Sequence, residues 1–498
     1  MLRRRGMALV GTLGLVGALV AVIPAAAGES AAGKPMAGLA WAACPEDVVV
    51  PPTVQLPVQC AKVPVPLDYG DPGGAQIEIM VSRIASTKPE KRRGVLMLNP
   101  GGPGGTGLDQ PAFLVSKGLP TGVTDAYDLI GMDTRGVGHS APVSCGLTAD
   151  DAYWANIPPY APDDAAVTRQ AEIAKEVAQR CAANDADGRL KHLSTANMAR
   201  DLDRIRAALG EEKGNFYGAS YGSALGAAYT SMFPATTDRV VLDSIVGDTH
   251  LDQAGLRRFA LGMEQTFPDF AKWAAARHES YGLGSTPQQV RRTYLTLAER
   301  LDETPSPDGL TGALFRQITF GFLYNEIQYP SLAQIWQTYL KPGEAPRAKA
   351  ATAPNPQDNA LTVFLAVTCN DVEWPEDVDT YRRAVAQDRK RFPLFGAASA
   401  NITPCAFWKH APTEPPVAVN DKGPRNVLIL QNRHDPVTPL AGGKLLREKF
   451  EKRSRLVTVD ESGHGVYVLG GNGCALNVTT SYLVDGKMPA GDRTCRRG

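Results

Sequence analysis

The stretch Asn215-Phe216-Tyr217-Gly218-Ala219-Ser220-Tyr221-Gly222-Ser223-Ala224-Leu225-Gly226 decides the fold that this sequence predicts. It consists of a short strand-like run, a turn of the form G-x-S-x-G and a helix of small residues, which is the pattern of a nucleophile elbow. Gly218 and Gly222 suit such a turn because its backbone passes close to the neighbouring strand and helix. Ser220 then projects beside the free N–H groups of the helix start, where a negative charge is stabilised. The motif also arises by chance among 49 glycines, so the prediction depends on the flanking strand and helix.

Composition excludes some classes of function. The 498 residues include 52 Lys and Arg against 52 Asp and Glu, so the formal net charge is zero. A nucleic-acid-binding protein usually has a basic stripe with interleaved aromatic residues, and the sequence has none. We therefore expect no nucleic-acid partner. The hydrophobic content of 43% is that of an ordinary globular protein.

The N-terminus has the pattern of a secretory signal peptide. Arg3 to Arg5 precede an uncharged run over 7–23, and an A-x-A cleavage site follows at 25–27. We predict a signal peptide over 1–27, a leader or pro-segment over 28–40 and a secreted, extracellular protein with no membrane attachment after cleavage. A retained membrane anchor is the alternative, although the run is short for one. The sequence leaves the export route open.

Export changes the interpretation of the eight cysteines. None form a C-x-x-C motif, and their spacings suggest no zinc site. They fall into successive couples, and we predict four local disulfides: Cys44–Cys60, Cys145–Cys181, Cys369–Cys405 and Cys474–Cys495. We expect no metal and no cofactor.

The glycine-rich turn Asn99-Pro100-Gly101-Gly102-Pro103-Gly104-Gly105-Thr106-Gly107 follows an apolar strand-like run over 94–98. It fits G-x-G-x-x-G, the dinucleotide fingerprint. Against that interpretation, Pro103 removes an amide that a pyrophosphate would need, and Pro111 interrupts the following helix. We favour an oxyanion loop in which the N–H of Gly102, or less favourably Gly101, points at the carbonyl attacked by Ser220.

The rest of the chain divides around a long insertion. Alternating or apolar runs predict strands over 76–83, 127–132, 240–243, 426–431 and 456–459. Between about 248 and 419 helical patterns and proline clusters replace this rhythm. We predict a core over 41–247 and 420–498, and a helical cap over 248–419 that lines the cleft. An independent helical domain is the alternative.

Asp435 and His464 each follow a strand, at the edge where parallel sheets bind ligands. The chain order Ser220, Asp435, His464 is that of the α/β-hydrolases. A neutral His464 can take the serine proton and return it to the leaving group, and Asp435 can hold the imidazole in the required tautomer. Asp243 is the rival acid and His434 the rival base. His139 is interpreted as a residue that fixes its loop.

With these motifs in hand, the chain resembles the secreted tripeptidyl aminopeptidases of actinomycetes, in the prolyl-aminopeptidase family of α/β-hydrolases. The resemblance rests on the motifs over 99–105, 133–140, 218–222, 435–439 and 462–465 and on the cysteine-bearing C-terminus. It implies an α/β-hydrolase fold with a mostly parallel central sheet and a large, mainly helical cap inserted between strands. It also implies a serine exopeptidase that releases tripeptides from free N-termini, with Ser220, Asp435 and His464 as the triad.

The same resemblance assigns the oxyanion N–H groups to Tyr221 and Gly102. A free N-terminal amine needs an acidic anchor, for which Asp371 and Glu373 are candidates, although both also fit solvated surface charges. A carboxylesterase or N-acyl hydrolase acting on acetylated antibiotics is the second hypothesis, because related enzymes use the same triad. A catalytically inactive binding protein is the third. We expect a monomer that acts on a peptide or a small ester or amide.

Overall fold

The computed structural model describes residues 38–149, 151–153, 155–340, 355 and 357–497, and one ten-stranded sheet organises this part of the chain. The predicted signal peptide and residues 28–37 of the predicted leader lie outside the described residues. The strands are β1 (Ala42–Ala43), β2 (Gln59–Pro66), β3 (Gln76–Ile84), β4 (Gly94–Asn99), β5 (Tyr127–Met132), β6 (Gly214–Ala219), β7 (Thr237–Asp243), β8 (Val427–His434), β9 (Ser454–Ser462) and β10 (Arg493–Cys495).

The sheet order is β1-β2-β3-β5-β4-β6-β7-β8-β9-β10. From β5 to β10 in this order, the seven strands pair in parallel. The other three strands are antiparallel: β1 pairs with β2, β2 with β3, and β3 with β5. Because β4, β6 and β8 run parallel, the segments that follow them all leave the sheet at one edge. The mostly parallel sheet predicted from the sequence is confirmed.

Helices cover both faces of the sheet. They are α1 (Gln110–Ser116), α2 (Thr121–Ala126), α3 (Asp164–Asn184), α4 (Thr195–Ala208), α5 (Tyr221–Met232), α6 (Gln253–Ala275), α7 (His278–Tyr281), α8 (Pro287–Glu303), α9 (Gly312–Phe322), α10 (Tyr329–Thr338), α11 (Asp358–Asp371), α12 (Val378–Arg391), α13 (Gly396–Ser399), α14 (Leu440–Phe450) and α15 (Gly473–Asp485). The helices α1, α2 and α15 pack on one face, and α4, α5 and α14 on the other. Within the described residues, no helix combines the length and apolar character needed to cross a membrane.

The strands predicted from the sequence, including the run over 94–98 and the one before Ser220, all form, with ends that differ by a few residues. β2 was missed because Pro64 and Pro66 lie within it, and proline lacks the amide donor of a strand ladder. The strand tolerates them because β1 pairs only with Gln59 and Cys60, so one edge of the remainder of β2 needs no donor. Val63 and Val65 nevertheless point into the core and are fully buried.

The helices between β7 and β8 build a core of their own. Aromatic side chains from α6, α8 and α9 surround Trp336 of α10, which is fully buried. The helix α3 lies earlier in the chain, yet its Val167 and Ala171 pack with Tyr381 of α12. The helical layer therefore includes a helix from outside the segment 248–419. The boundaries 248–419 remain our proposal for the inserted cap.

All four predicted disulfides are present, and each cysteine pairs with its neighbour in the sequence. Cys44–Cys60 joins the first two strands, and Cys369–Cys405 ties the C-terminal end of α11 to the segment before β8.

Candidate active site

Ser220 occupies a strained turn between β6 and α5. Its backbone has φ 59° and ψ −125°, a region that residues other than glycine rarely adopt. Such strain holds the serine of a nucleophile elbow above the sheet. Ser220 is half-buried, and its N–H donates to the carbonyl oxygen of Asp243 at 2.9 Å.

The glycines around Ser220 are required by close backbone contacts. A Cβ atom at Gly218 would lie 2.2 Å from the carbonyl oxygen of Gly222. A Cβ atom at Gly222 would lie 2.7 Å from the carbonyl oxygen of Asn99. Real Cβ atoms do not approach so closely, so both positions need glycine, as the sequence predicted.

The glycine-rich turn after β4 lies directly against the elbow. A Cβ atom at Gly101 would lie 2.8 Å from Cβ of Ser220 and 3.2 Å from the backbone nitrogen of Tyr221. The N–H of Gly101 donates to Oδ1 of Asn99 at 3.0 Å, so it is already engaged. This arrangement favours the following N–H, that of Gly102, as the oxyanion donor. The contact with the elbow also favours an oxyanion loop over a dinucleotide-binding turn.

Asp435 and His464 form a buried pair. Nδ1 of His464 lies 2.9 Å from Oδ2 and 3.1 Å from Oδ1 of Asp435. The carboxylate also accepts from the N–H groups of Val437 and Thr438, at 2.9 and 2.8 Å, and from the Thr438 hydroxyl at 2.9 Å. These donors fix the orientation of Asp435, which is fully buried. With a proton on Nδ1, His464 keeps Nε2 free to act as a base.

Burial and the neighbouring Asp435 shift the pKa of His464 in opposite directions. Burial alone would lower the pKa of its imidazole, but the charge of Asp435 and the hydrogen bond to it outweigh burial and raise the pKa above the usual 6.5. This is the response expected of a histidine that must accept a proton during a reaction.

Asp243, the rival acid, does not contact the His464 ring. Its carboxylate accepts from the N–H groups of Val466 and Tyr467, at 2.9 and 2.8 Å, while its backbone carbonyl binds the N–H of Ser220. The next hydroxyl, that of Ser244, accepts from the N–H of Gly465 at 2.8 Å. Asp243 thus ties the loop that carries His464 to the elbow that carries Ser220.

The other two candidate histidines have separate partners. His139 donates its backbone N–H to Asp133 at 2.9 Å, and its Nε2 lies 3.2 Å from Asp47, which supports the interpretation of a loop-fixing residue. Nδ1 of His434 lies 2.6 Å from Asp269 of α6, an ion pair between the end of β8 and the helical layer. The hydrogen bond to Asp269 raises the pKa of His434.

The two candidate amine anchors differ in exposure. Asp371 is 6% exposed, and its carboxylate accepts from both the N–H and the hydroxyl of Thr195. Glu373, two residues later, is exposed to solvent. An anchor must be reached by substrate, so the difference in exposure favours Glu373 over Asp371.

Sequence reasoning missed the contact between Tyr324 and His464. The carbonyl oxygen of Tyr324 accepts from the backbone N–H of His464 at 2.7 Å, and the two rings meet edge to face with centroids 5.3 Å apart. Tyr324 lies just after α9, in the helical segment between β7 and β8. No local signal distinguishes it, because the contact joins residues 140 positions apart in the sequence.

A cavity of about 360 Å³ borders His464 and Tyr324. Its walls include Glu326, Glu461 and Arg497, and the guanidinium of Arg497 pairs with Glu326 at 2.7 Å. Glu461 is the second carboxylate of these walls, and it accepts from the side-chain amide of Asn472 at 2.8 Å. No cluster of three or more metal-ligating side chains occurs in the part of the chain that the structure describes.

Comparisons with known proteins agree with this geometry. The family described as TAP-like protein matches residues 392–495. A tripeptidyl aminopeptidase of Streptomyces lividans is 35% identical, covering 94% of this chain and 88% of the relative. A carboxylesterase B of Mycobacterium tuberculosis is 30% identical over 91% of this chain and 89% of its own.

Among solved structures, a serine hydrolase from Cycloclasticus zankles is 15% identical, covers 86% of this chain and 98% of its own, and has a TM-score of 0.37. The long match to the Streptomyces enzyme carries the assignment. The chain belongs to the tripeptidyl aminopeptidase family of α/β-hydrolases, and it is a serine hydrolase.

Proposed function

We propose that this protein is a secreted exopeptidase that releases tripeptides from free N-termini through an acyl-enzyme, with Ser220, His464 and Asp435 as its triad. The observation that carries the proposal is the pair of Asp435 and His464 beside a strained serine elbow. The name of the Streptomyces relative, which covers nearly the whole chain, supports the peptide specificity. The predicted signal peptide and the four disulfides support secretion.

In this mechanism, Nε2 of His464 removes the proton of Ser220 as Oγ attacks the carbonyl carbon of the third residue. The N–H groups of Tyr221 and Gly102 stabilise the resulting oxyanion. His464 then gives the proton to the leaving amine, which departs with the rest of the peptide. Water, deprotonated by the same histidine, attacks the ester, and His464 returns the proton to Ser220 Oγ as the tripeptide leaves.

The free amine of the substrate requires a reachable carboxylate. We propose Glu373 as the first candidate because it is exposed, and Glu461 as the second because it faces the cavity beside His464. Replacing the true anchor by glutamine raises KM for the free-amine substrate and reduces the preference for it over the acetylated one.

An esterase or N-acyl hydrolase is the second candidate function, because the carboxylesterase B relative also covers most of the chain. The same catalytic groups serve an ester as well as an amide, so substrate recognition decides between the two functions.

The test uses the purified protein, with Ser220→Ala as the control, on one tripeptide p-nitroanilide with its N-terminus free or acetylated. We expect hydrolysis of the free form only, and none by the control. Equal or faster hydrolysis of the acetylated form would reject the aminopeptidase and favour the esterase or N-acyl hydrolase.

A further inference from the structure

A buried chain of hydrogen bonds links the helical segment to the residue after the nucleophile. The carboxylate of Asp371, at the end of α11, accepts from the N–H of Thr195 at 2.8 Å and from its hydroxyl at 2.6 Å. The hydroxyl of Thr195 also lies 2.6 Å from the hydroxyl of Tyr221. Asp371, Thr195 and Tyr221 are 6%, 2% and 4% exposed, so water does not replace these contacts.

When Asp371 is ionised, each hydrogen bond in this series has a fixed donor and a fixed acceptor. A carboxylate only accepts hydrogen bonds, so the Thr195 hydroxyl must donate its single hydrogen to Asp371. That hydroxyl can then only accept from Tyr221, whose phenol stays protonated because burial raises its pKa. A protonated Asp371 can instead donate to the Thr195 hydroxyl, which then donates to the Tyr221 oxygen. The Tyr221 hydroxyl is left to donate to Sδ of Met198, 3.4 Å away, which is a weaker acceptor.

We propose that Asp371 is a positioning residue for the oxyanion hole: acting through Thr195, it holds the Tyr221 ring and so orients the Tyr221 backbone N–H beside Ser220. The inference rests on the proposed function, because the oxyanion role of Tyr221 is part of that proposal. It gives Asp371 a different role from the amine anchor expected from the sequence.

The space around Asp371 agrees with this role. The cavity that borders Asp371, Thr195 and Glu414 has a volume of about 10 Å³, which is room for about one water molecule. The ammonium group of a peptide, with the chain attached to it, does not fit there.

The state of Asp371 changes near neutral pH. Burial raises the pKa of its carboxyl to about 7, against the two hydrogen bonds from Thr195, which lower it. Glu414 is the charged neighbour that raises it further, and Glu414 itself pairs with Arg200 at 2.6 Å. The hydrogen bonds from Tyr221 to Thr195 and from Thr195 to ionised Asp371 are therefore present above a pH of about 7, and they are lost as the pH falls below it.

The experiment compares Asp371→Asn, Thr195→Val and Thr195→Ser with the native enzyme. We expect Asp371→Asn and Thr195→Val to lower kcat about tenfold, less than the ~10²-fold of losing an oxyanion donor outright, with KM unchanged. Thr195→Ser keeps the hydroxyl and should retain most of kcat. Asp388→Asn is the matched control, because Asp388 is an equally buried carboxylate of the helical segment, paired with Arg257.

The pH profile separates positioning from mere folding. In the native enzyme, protonation of Asp371 adds its partial loss to the loss from protonation of His464, so log(kcat/KM) should fall by more than one unit per pH unit where Asp371 titrates, near pH 7. In Asp371→Asn only His464 titrates, and the slope should be one. Asp388→Asn should lower Tm but keep the native slope.

The second readout needs no peptide substrate. A phosphonofluoridate forms a bond between Ser220 Oγ and phosphorus as fluoride leaves, and its P=O oxygen uses the same oxyanion donors. Slower labelling of Asp371→Asn would support the inference even if the native enzyme cleaved no tripeptide. Native labelling rates and a native slope in Asp371→Asn would overturn it, and so would a rise in KM confined to free-amine substrates, which would mark an anchor.

Discussion

At the scale of single residues, two buried aspartates near His464 have different partners. Asp435 contacts the imidazole, whereas Asp243 binds backbone N–H groups of the loop that carries it. A carboxylate on Nδ1 selects the tautomer and stabilises the imidazolium through a direct hydrogen bond. Asp243 makes no such hydrogen bond, and its charge raises the pKa of His464 less than that of Asp435 does.

We therefore expect Asp435→Asn to lower kcat by about 10⁴-fold while Tm changes little. Asp243→Asn should chiefly lower stability, by about 1–3 kcal/mol, because buried N–H groups lose an acceptor. Steady-state kinetics and thermal unfolding of both variants check this. A selective loss of kcat in Asp243→Asn, with Asp435→Asn active, would exchange the two roles.

The sequence predicted Ser220, Asp435 and His464 because each stands in a local pattern, at a turn after a strand. It could not separate Asp371 from Glu373, which lie two residues apart in one acidic stretch. Their exposure differs because Asp371 meets Thr195 from a distant helix, and such a tertiary contact leaves no mark on the neighbouring residues.

At the scale of elements, the segment after α9 contacts the loop after β9. The carbonyl of Tyr324 holds the backbone of His464, and its ring packs against the imidazole. A Cβ atom at Gly463 would lie 2.9 Å from the same carbonyl, so the two segments are closely packed. The helical layer thus directly supports His464, the proposed catalytic base.

We expect Tyr324→Ala to lower kcat about tenfold, because loss of the ring lets the imidazole leave its productive orientation. Tyr324→Phe keeps the ring and the backbone carbonyl, so its kcat should be close to native. The measurement is kcat for the substrate that the native enzyme hydrolyses. An equal loss in both variants would assign the effect to the phenol hydroxyl instead.

The strands show where elements can be predicted from sequence. β4, β5 and β6 are buried on both faces. β4 was predicted from its continuous apolar run and β6 from its place before the G-x-S-x-G turn. β2 escaped because its two prolines argue against a strand, and only the short partner β1 explains why they are tolerated.

At the scale of the whole molecule, disulfides contribute unequally to the site. The disulfide Cys369–Cys405 joins residues 36 positions apart, and Cys369 lies two residues before Asp371. The disulfide Cys44–Cys60 joins residues 16 positions apart at the first two strands. Loop-closure entropy gives stabilisations of about 4 and about 3 kcal/mol respectively.

We expect the double variant Cys369→Ser with Cys405→Ser to lower both Tm and kcat, because α11 loses the tie that holds Asp371 against Thr195. Cys44→Ser with Cys60→Ser should lower Tm alone. Calorimetry and kinetics on both double variants test this. A native kcat in the first variant would mean that packing alone holds α11 in place.

The nearest-neighbour pairing of all eight cysteines also sets an order of closure. A chain that emerges amino end first presents Cys44 and Cys60 before Cys145, and completes each later pair before the next begins. Every bond can then form between the only two thiols free at that moment. Oxidation in the order of emergence reaches the native pairing without reshuffling, although eight cysteines permit 105 pairings.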